Sequence, residues 1–308
     1  MTHRLNAFLL ILVLLIAVPF YWLLLENGAD GAVARPLDIA RLRALAEQMA
    51  GPKPSAVEVE VVAIRRVPGN YLAAGIGLRR VPVGSMAFRL PVPGGSAVMI
   101  DTAVIPGRDP LQEWTVLNPK IRGRIDAAMR SAGLILATDE HPEHNGALIE
   151  LMRRPGSSAD TVFRNYDAAP PQRLTMERAA GLASKPLTTP AMAAPFAVAP
   201  GIAVIPAPGH TPGSQMIFVR LGNGREYLFA GDNATVARSW TEQRNHSRLM
   251  SDWQEPEDRT AVRSWLLTIA RLHRQAPGLV VVPGGDYQWL LDERNGTGVR
   301  LMFSGDPA

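Results

Sequence analysis

The chain has 308 residues, of which 47% are hydrophobic and 19% are charged, so it can bury a sizeable core and is not disordered. It contains no cysteine, which excludes disulfide bonds, thiolate metal ligands and a cysteine nucleophile. The net charge of +4 comes from scattered basic residues, and aromatic residues make up 6%, which argues against nucleic acid as a partner. A metal site in this chain must therefore use histidine, aspartate or glutamate.

The first segment is an apolar run, residues 7–25, that carries no charged side chain. At about 1.5 Å per residue it is long enough to cross a bilayer core. Arg4 precedes the run and two acidic residues follow it, which places the N-terminus in the cytoplasm and the rest of the chain in the periplasm. The length favours an uncleaved, single-pass anchor in the inner membrane over residues 1–34. The alternative is a secreted protein, cleaved after the small residues that end at Ala34.

Hydrophobic periodicity predicts the remaining elements in chain order. Residues 38–49 predict a helix, and residues 35–56 are interpreted as a helix and linker before a domain over residues 57–308. The first half of that domain predicts strands over 57–64, 72–81, 86–90, 97–104 and 134–137, with helices over 119–132 and 145–153. Residues 167–195 predict a helix and a long exposed loop. The second half predicts strands over 203–206, 215–221, 227–230 and 279–282, with a helix over 256–274. Two groups of strands with attached helices indicate an α/β domain with two sheets packed face to face.

Ionisable residues cluster directly after the short apolar strand 134–137. Asp139, His141, Glu143 and His144 fall within six residues, which is a dense set of ligands for a divalent metal. Taken alone, the segment also fits a solvated loop with Glu143 at the N-terminus of a helix.

Three further strands end in a candidate ligand. His210 lies between glycine and proline residues, Asp232 follows the strand 227–230, and Asp286 follows the strand 279–282. Each of these residues alone is more simply interpreted as part of a turn. As a set they indicate a functional site more strongly, because each follows a strand and they occur in a characteristic order along the chain.

Together these segments resemble the metallo-β-lactamase superfamily over about residues 97–289. Residues 97–102 are similar to the strand that leads to a buried aspartate, residues 138–144 to the H-x-H-x-D-H loop, residues 208–213 to the third motif and residues 231–232 to the bridging aspartate. The resemblance implies a four-layer αββα sandwich. The chain departs from the pattern at three positions, because Asp139 and Gly285 stand where histidines are expected and Glu143 where an aspartate is expected.

The resemblance also implies ligand sets for one or two divalent metal ions. Metal 1 would be held by Asp139, His141, His210 and bridging Asp232. Metal 2 would be held by Glu143, His144 and Asp232, with Asp286 as a replacement for the lost histidine. Zinc is the first candidate, and iron or manganese are alternatives because carboxylates have replaced imidazoles.

The implied activity is hydrolysis of a small-molecule ester, lactone or amide through a metal-bound hydroxide. Asp232 would orient the nucleophile and Glu143 could accept its proton. Tyr287 and His246 are candidates for contacting substrate, although His246 also fits a surface histidine. Two alternatives are a catalytically degenerate module for binding or assembly, and oxidoreduction at a di-iron version of the site.

Overall fold

A computed structural model describes residues 2–105, 114–152, 162–163 and 194–304. Most of the predicted helix and loop over 167–195 lies outside these residues. Helix α1 (Thr2–Phe20) continues as a π-helical turn, Tyr21–Leu25. The combined helix His3–Leu25 has a mean hydropathy of 2.9, and its apolar window is not buried by the rest of the protein. By length and composition it could cross a membrane.

The first sheet has the strand order β12-β1-β2-β3-β5-β6, and β4 also pairs with β1. Strands β1 and β3 both pair antiparallel with β2, and β5 pairs parallel with β3. Strands β1, β3 and β5 therefore run in one direction, and the side toward which they run is called the carboxyl edge below. Strand β1 extends beyond β3 on this side, because Thr102 at the end of β3 and Glu60 of β1 both lie opposite Ala87 of β2. The strands are β1 (Glu58–Pro68), β2 (Arg80–Leu90), β3 (Val98–Thr102), β4 (Thr115–Val116), β5 (Leu134–Leu136), β6 (Val162–Phe163) and β12 (Arg300–Leu301).

The second sheet has the strand order β11-β10-β9-β8-β7. Its strands are β7 (Phe196–Ala199), β8 (Ile202–Pro206), β9 (Gln215–Arg220), β10 (Glu226–Gly231) and β11 (Val280–Pro283). The remaining helices are α2 (Ile39–Ala46), α3 (Gly69–Leu72), α4 (Pro119–Ser131), α5 (Pro142–Met152), α6 (Ala237–Thr241), α7 (Arg259–Gln275) and α8 (Tyr287–Leu291). Apart from the strand over 72–81, and from the helix and loop over 167–195 that lie mostly outside the described residues, the predicted elements agree with these to within a few residues.

The predicted strand over 72–81 is wrong. The chain instead forms α3 and a turn, in which the Asn70 side chain accepts a hydrogen bond from the Gly77 amide (2.6 Å). Gly75 and Gly77 adopt positive φ angles of 81° and 107°, which suit a turn and not a strand. The strand then begins at Arg80 and runs without a break through the second predicted strand.

The core has three layers of apolar contact. Between the sheets, the rings of Phe88 and Phe229 meet edge to face with centroids 5.0 Å apart. The outer face of the first sheet packs against α4 and α5, and that of the second sheet packs against α2 and α7. The described residues therefore form helix, sheet, sheet and helix layers. Helix α2, predicted as part of a connecting segment, contributes Leu42 to the outer layer of the second sheet.

Candidate metal centre

Both sheets deliver side chains to one site at the carboxyl edge. The loop after β5 and the start of α5 come from the first sheet, while the loop after β8 and the end of β10 come from the second. Gln215, the first residue of β9 in the second sheet, hydrogen-bonds to the loop after β5 in the first sheet. Its backbone N–H donates to the carbonyl of Thr138 (2.8 Å), and its side-chain amide donates to the carbonyl of Ala137 (2.6 Å).

Buried Asp101 organises the loop after β5, as the resemblance implies. It has a positive φ of 55°, and its carboxylate accepts hydrogen bonds from the Thr138 amide (2.7 Å) and hydroxyl (2.9 Å). The same carboxylate lies 2.9 Å from Nδ1 of His144. A carboxylate only accepts, so Nδ1 carries a proton and Nε2 of His144 is the nitrogen that faces the site.

Two groups of ligand atoms meet at Asp139. Within each group all ligand atoms lie within 4.8 Å of one another; one group is Asp139, His141 and His210, and the other is Asp139, His144 and Asp232. Nε2 of His210 lies 3.2 Å from Nδ1 of His141, and Nε2 of His144 lies 3.4 Å from the Asp232 carboxylate. A carboxylate has two oxygens and can serve two cations, which an imidazole nitrogen cannot. The aspartate at the expected first-histidine position therefore belongs to both groups, whereas Asp232 belongs to one.

Two ligand atoms of this site are buried without a hydrogen-bond partner among the described residues, namely Oδ2 of Asp139 and Nε2 of His144. They lie 3.6 Å apart. Leaving a buried polar atom unsatisfied costs about 1–3 kcal/mol, so the pair favours a cation that both can bind. The donor set of two carboxylates and three imidazoles fits a divalent metal.

The charges of the metal-free site balance internally. Burial lowers the pKa of His144, but the charges of Asp139, Asp101 and Asp232 raise it well above the ordinary value. For Asp232, burial raises the pKa, but His144 and His210 lower it to far below the usual range. For Asp139, burial outweighs the neighbouring histidines and the pKa is raised. The protonated histidines thus balance the negative charge of the carboxylates, as a bound cation would.

Glu257 is a residue of the site that the sequence did not reveal. One of its oxygens accepts hydrogen bonds from Nδ1 of His210 (3.1 Å) and Nδ1 of His246 (2.9 Å). Although these three residues also lie close enough to bind a cation, both contacts have hydrogen-bond lengths, so the group is a hydrogen-bonded triad. Burial raises the pKa of Glu257, but the charge of His246 and the bond from His210 lower it to about 2. Since Nδ1 of His210 donates to Glu257, Nε2 is the nitrogen that faces His141 and the site.

His246 is held inside this triad. Its side chain is 11% exposed, and Nε2 lies 2.8 Å from the hydroxyl of Thr235. The interpretation of His246 as a surface histidine is therefore wrong. Glu257 could have been found only through its partners, because its own position resembles an acidic residue just before a helix.

Glu143 lies beside the site and outside both ligand groups. One of its oxygens is 3.5 Å from Nη2 of Arg65, whose guanidinium lies 5.0 Å from the ring centre of Trp114. Burial raises the pKa of Glu143, but the charges of His141 and Arg65 lower it further, so the net shift is downward. Glu143 is therefore an ionised carboxylate paired with an arginine in this structure.

The end of β11 does not supply a ligand to either group. Asp286 accepts hydrogen bonds from the backbone N–H groups of Ala237 and Trp289, both at 3.1 Å, and so caps α8. The ring of Tyr287 lies against Gly84 of β2. A side chain at Gly285 would meet Val83 at 3.2 Å instead of facing Asp232.

The neighbouring glycine, Gly284, is required for the position of Asp232. A Cβ atom at Gly284 would lie 2.1 Å from Oδ1 of Asp232 and 2.8 Å from the backbone of Gly231. Only a glycine allows the Asp232 carboxylate to lie this close to the end of β11.

No family model and no curated protein matches the chain. Among solved structures, a quorum-quenching N-acyl homoserine lactone hydrolase matches with a TM-score of 0.58 and 13% identity, over 77% of this chain and 94% of its own. A quorum-quenching N-acyl homoserine lactone lactonase matches with a TM-score of 0.54 and 11% identity, over 77% and 94%. A probable metal-dependent hydrolase from Staphylococcus aureus matches with a TM-score of 0.51 and 12% identity, over 76% and 91%. The chain has the metallo-β-lactamase fold that the motifs predict, and at these identities the likeness carries the fold alone.

Proposed function

We propose that the protein is a membrane-anchored, metal-dependent hydrolase of small-molecule carbonyl compounds, namely esters, lactones or amides. The observation that carries the proposal is the convergence of Asp139, His144 and Asp232, in which two buried ligand atoms have no other partner among the described residues. The fold supports it, because the solved structures that share the fold include proteins described as lactone hydrolases.

The ligand groups assign the metal-binding residues. Asp139, His141 and His210 would hold one cation, and Asp139, His144 and Asp232 would hold the other. Zinc is the first candidate, with iron or manganese as alternatives because the donor set is rich in carboxylates. When bound, the metal supplies a lowered pKa for water and a positive charge for a developing oxyanion.

The side chains of the site would orient the attacking water and accept its proton. Asp232 accepts a hydrogen bond from the attacking water and so orients its lone pair toward the carbonyl carbon of the substrate. Glu143, kept ionised by His141 and Arg65, accepts the proton. His246 and Tyr287 remain candidates for contacting the rest of the substrate.

We also propose that α1 anchors the protein in the inner membrane, with the domain over residues 57–308 in the periplasm. The apolar helix, with Arg4 before it and Glu26 and Asp30 after it, supports this orientation. Cleavage near Ala34, which would release the domain, is the alternative.

The test is metal content and hydrolysis of the full chain, purified in detergent without chelators. Mass spectrometry of the metals is combined with a screen on esters and lactones. We expect the wild type to hold metal and the variant His210→Ala to lose at least one equivalent together with the activity.

The matched control is His273→Ala. His273 donates to the carbonyl of Leu279 (3.0 Å) and packs against Trp240, so its loss should leave both metal and activity in place. Two equivalents in the wild type would indicate both ligand groups, and one would indicate a single-metal enzyme. A chain that binds none of zinc, manganese or iron would contradict the proposal and favour the binding or assembly module.

A further inference from the structure

The end of the apolar helix and the segment that follows it are hydrogen-bonded to the domain. The N–H of Gly75 donates to the carbonyl of Leu24 (3.1 Å), in the turn between β1 and β2. Asn27 donates from its side chain to the carbonyl of Gln243 (3.1 Å) and accepts from the N–H of Asn245 (2.8 Å). The end of the helix is therefore fixed to two loops of the domain.

Charged contacts strengthen this attachment and lead to the candidate metal centre. Glu26 accepts a hydrogen bond from Nε of Arg248 (2.6 Å) and lies 3.5 Å from Nη2 of Arg259. Arg248 also stacks over Trp22, with its guanidinium 4.1 Å from the ring centre. Arg259 in turn donates to the carbonyl of His246 (2.7 Å), a residue of the triad that holds His210. The helix end and the wall of the site thus belong to one hydrogen-bonded assembly.

The topology puts this attachment at the carboxyl edge. The turn that binds Leu24 follows the C-terminal end of β1, and the metal loops follow the C-terminal ends of the parallel strands β3 and β5. Ala74 in this turn donates its backbone N–H to the carbonyl of Asn245 (2.8 Å), the residue before His246, so the turn lies beside the wall of the site. An apolar helix that crosses a membrane therefore brings the bilayer to the loops beside the site.

The loops around the helix end expose the side chains that membrane interfaces favour. Leu78 is 56% exposed in the β1–β2 turn, and Trp253 is 74% exposed in the segment that also contains Arg248. Arg66, Arg79 and Arg80 are exposed on the same turn and its flanking strands. Tryptophan is enriched at the boundary of the bilayer, and arginine pairs with lipid phosphates there.

We propose that the carboxyl edge lies on the bilayer surface, with Leu78 and Trp253 inserted between lipid headgroups, and that the site takes an amphiphilic, acyl-chain-bearing substrate from the membrane. The proposal rests on the membrane anchor and the hydrolase activity proposed above. A substrate with a long acyl chain partitions into the bilayer, so a site held at its surface meets a higher local concentration of such a substrate than of a water-soluble one.

Spin labels test the orientation without reference to activity. The chain has no cysteine, so Leu78→Cys, Trp253→Cys and the control Leu301→Cys each give a single labelling site. Leu301 is 58% exposed and pairs with Val59 at the far end of β1. The full chain is placed in nanodiscs with equal amounts of phosphatidylcholine and phosphatidylglycerol. Collisions of the label with oxygen, which enters lipid, are compared with collisions with a water-soluble nickel chelate.

We expect a higher ratio of oxygen to nickel collisions at positions 78 and 253 than at position 301. A label at 78 or 253 that is as accessible to the nickel chelate as the label at 301 would overturn the orientation.

A pair of esters with the same alcohol, one butanoyl and one dodecanoyl, tests the substrate class in the same nanodiscs. We expect Leu78→Ser and Trp253→Ser to raise KM for the dodecanoyl ester and to leave KM for the butanoyl ester unchanged, while Leu301→Ser changes neither. Equal effects on both esters would overturn the substrate class. A chain that hydrolyses no ester would refute the hydrolase activity and the substrate class with it, whereas the spin labels would still decide the orientation.

Discussion

Glu257→Gln probes the hydrogen-bonded triad with the smallest change in shape. In the wild type one carboxylate oxygen accepts hydrogen bonds from Nδ1 of both His210 and His246. The amide oxygen of glutamine can still accept both hydrogen bonds, but it carries no negative charge. The hydrogen bond to Nδ1 of His210 therefore weakens, and Nε2 of His210 becomes a less basic and less firmly oriented metal ligand.

The expected loss follows from the position of Glu257 behind a ligand. Mutation of the residue that accepts a hydrogen bond from a metal-bound histidine typically lowers metal affinity by roughly 10- to 100-fold. Each tenfold step corresponds to about 1.4 kcal/mol, so the binding free energy should weaken by about 1.4–2.8 kcal/mol. The fold itself should persist, because the substitution keeps the volume of the side chain.

The assay is competition for zinc against a chromophoric chelator, run beside thermal unfolding of the metal-free protein. The control is Glu60→Gln, which alters another buried carboxylate, 1% exposed and paired with Arg124 (2.6 Å) near the far end of β1. This control should lower the unfolding temperature without changing zinc affinity. Wild-type affinity in Glu257→Gln, or an equal loss of affinity in Glu60→Gln, would refute the role given to the triad.

Two further predictions concern the same centre. Gly284→Ala places a methyl group 2.1 Å from the Asp232 carboxylate and close to the backbone of Gly231. Metal analysis should therefore show loss of the equivalent bound by Asp232. The control Gly278→Ala, whose methyl group meets nothing within 4 Å, should bind metal as the wild type does. Burial lowers the pKa of His210, but the bond to Glu257 and the charge of Asp232 raise it to about 10. Metal must displace that proton, so affinity measured by chelator competition should rise with pH up to about 10, and an affinity that is flat between about pH 7 and pH 9 would contradict the assignment. In the metal-free protein the raised pKa stabilises the fold, fully below about pH 6.5 and progressively less as pH rises through 10.

The sequence predicts that the candidate ligands lie close together, because each one follows an apolar strand at a fixed point. Short buried strands of a layered sheet end at a common edge, so Asp139, His210 and Asp232 could be expected together without knowledge of the fold's details. The structure confirms this grouping and the two-sheet architecture. The outer-layer position of α2 was not predicted, because its amphipathic pattern fits a connecting helix equally well.

The errors have physical reasons. The β1–β2 turn contains valine and leucine at its ends and resembles a strand, but its glycines and the Asn70 side chain favour a turn. Asp286 follows a strand as Asp139, His210 and Asp232 do, yet two backbone N–H groups bind its carboxylate. Glu143 was assigned by its place in a motif, and only the structure reveals that Arg65, distant in sequence, is its partner. Contacts between residues far apart in the chain leave no local pattern.

Because the candidate ligands come from both sheets, a bound cation would cross-link distant parts of a chain that has no cysteine for a disulfide bond. His141 and His210 are 69 residues apart in sequence, and a cation bound to both would close that length of chain as a cross-link. By the chain-entropy relation for disulfide bonds, closing a loop of this size removes about 4 kcal/mol of conformational freedom from the unfolded state. In the periplasmic location proposed above, where many proteins are stabilised by disulfide bonds, the ion proposed for hydrolysis would then also serve as a cross-link between the two halves of the sandwich.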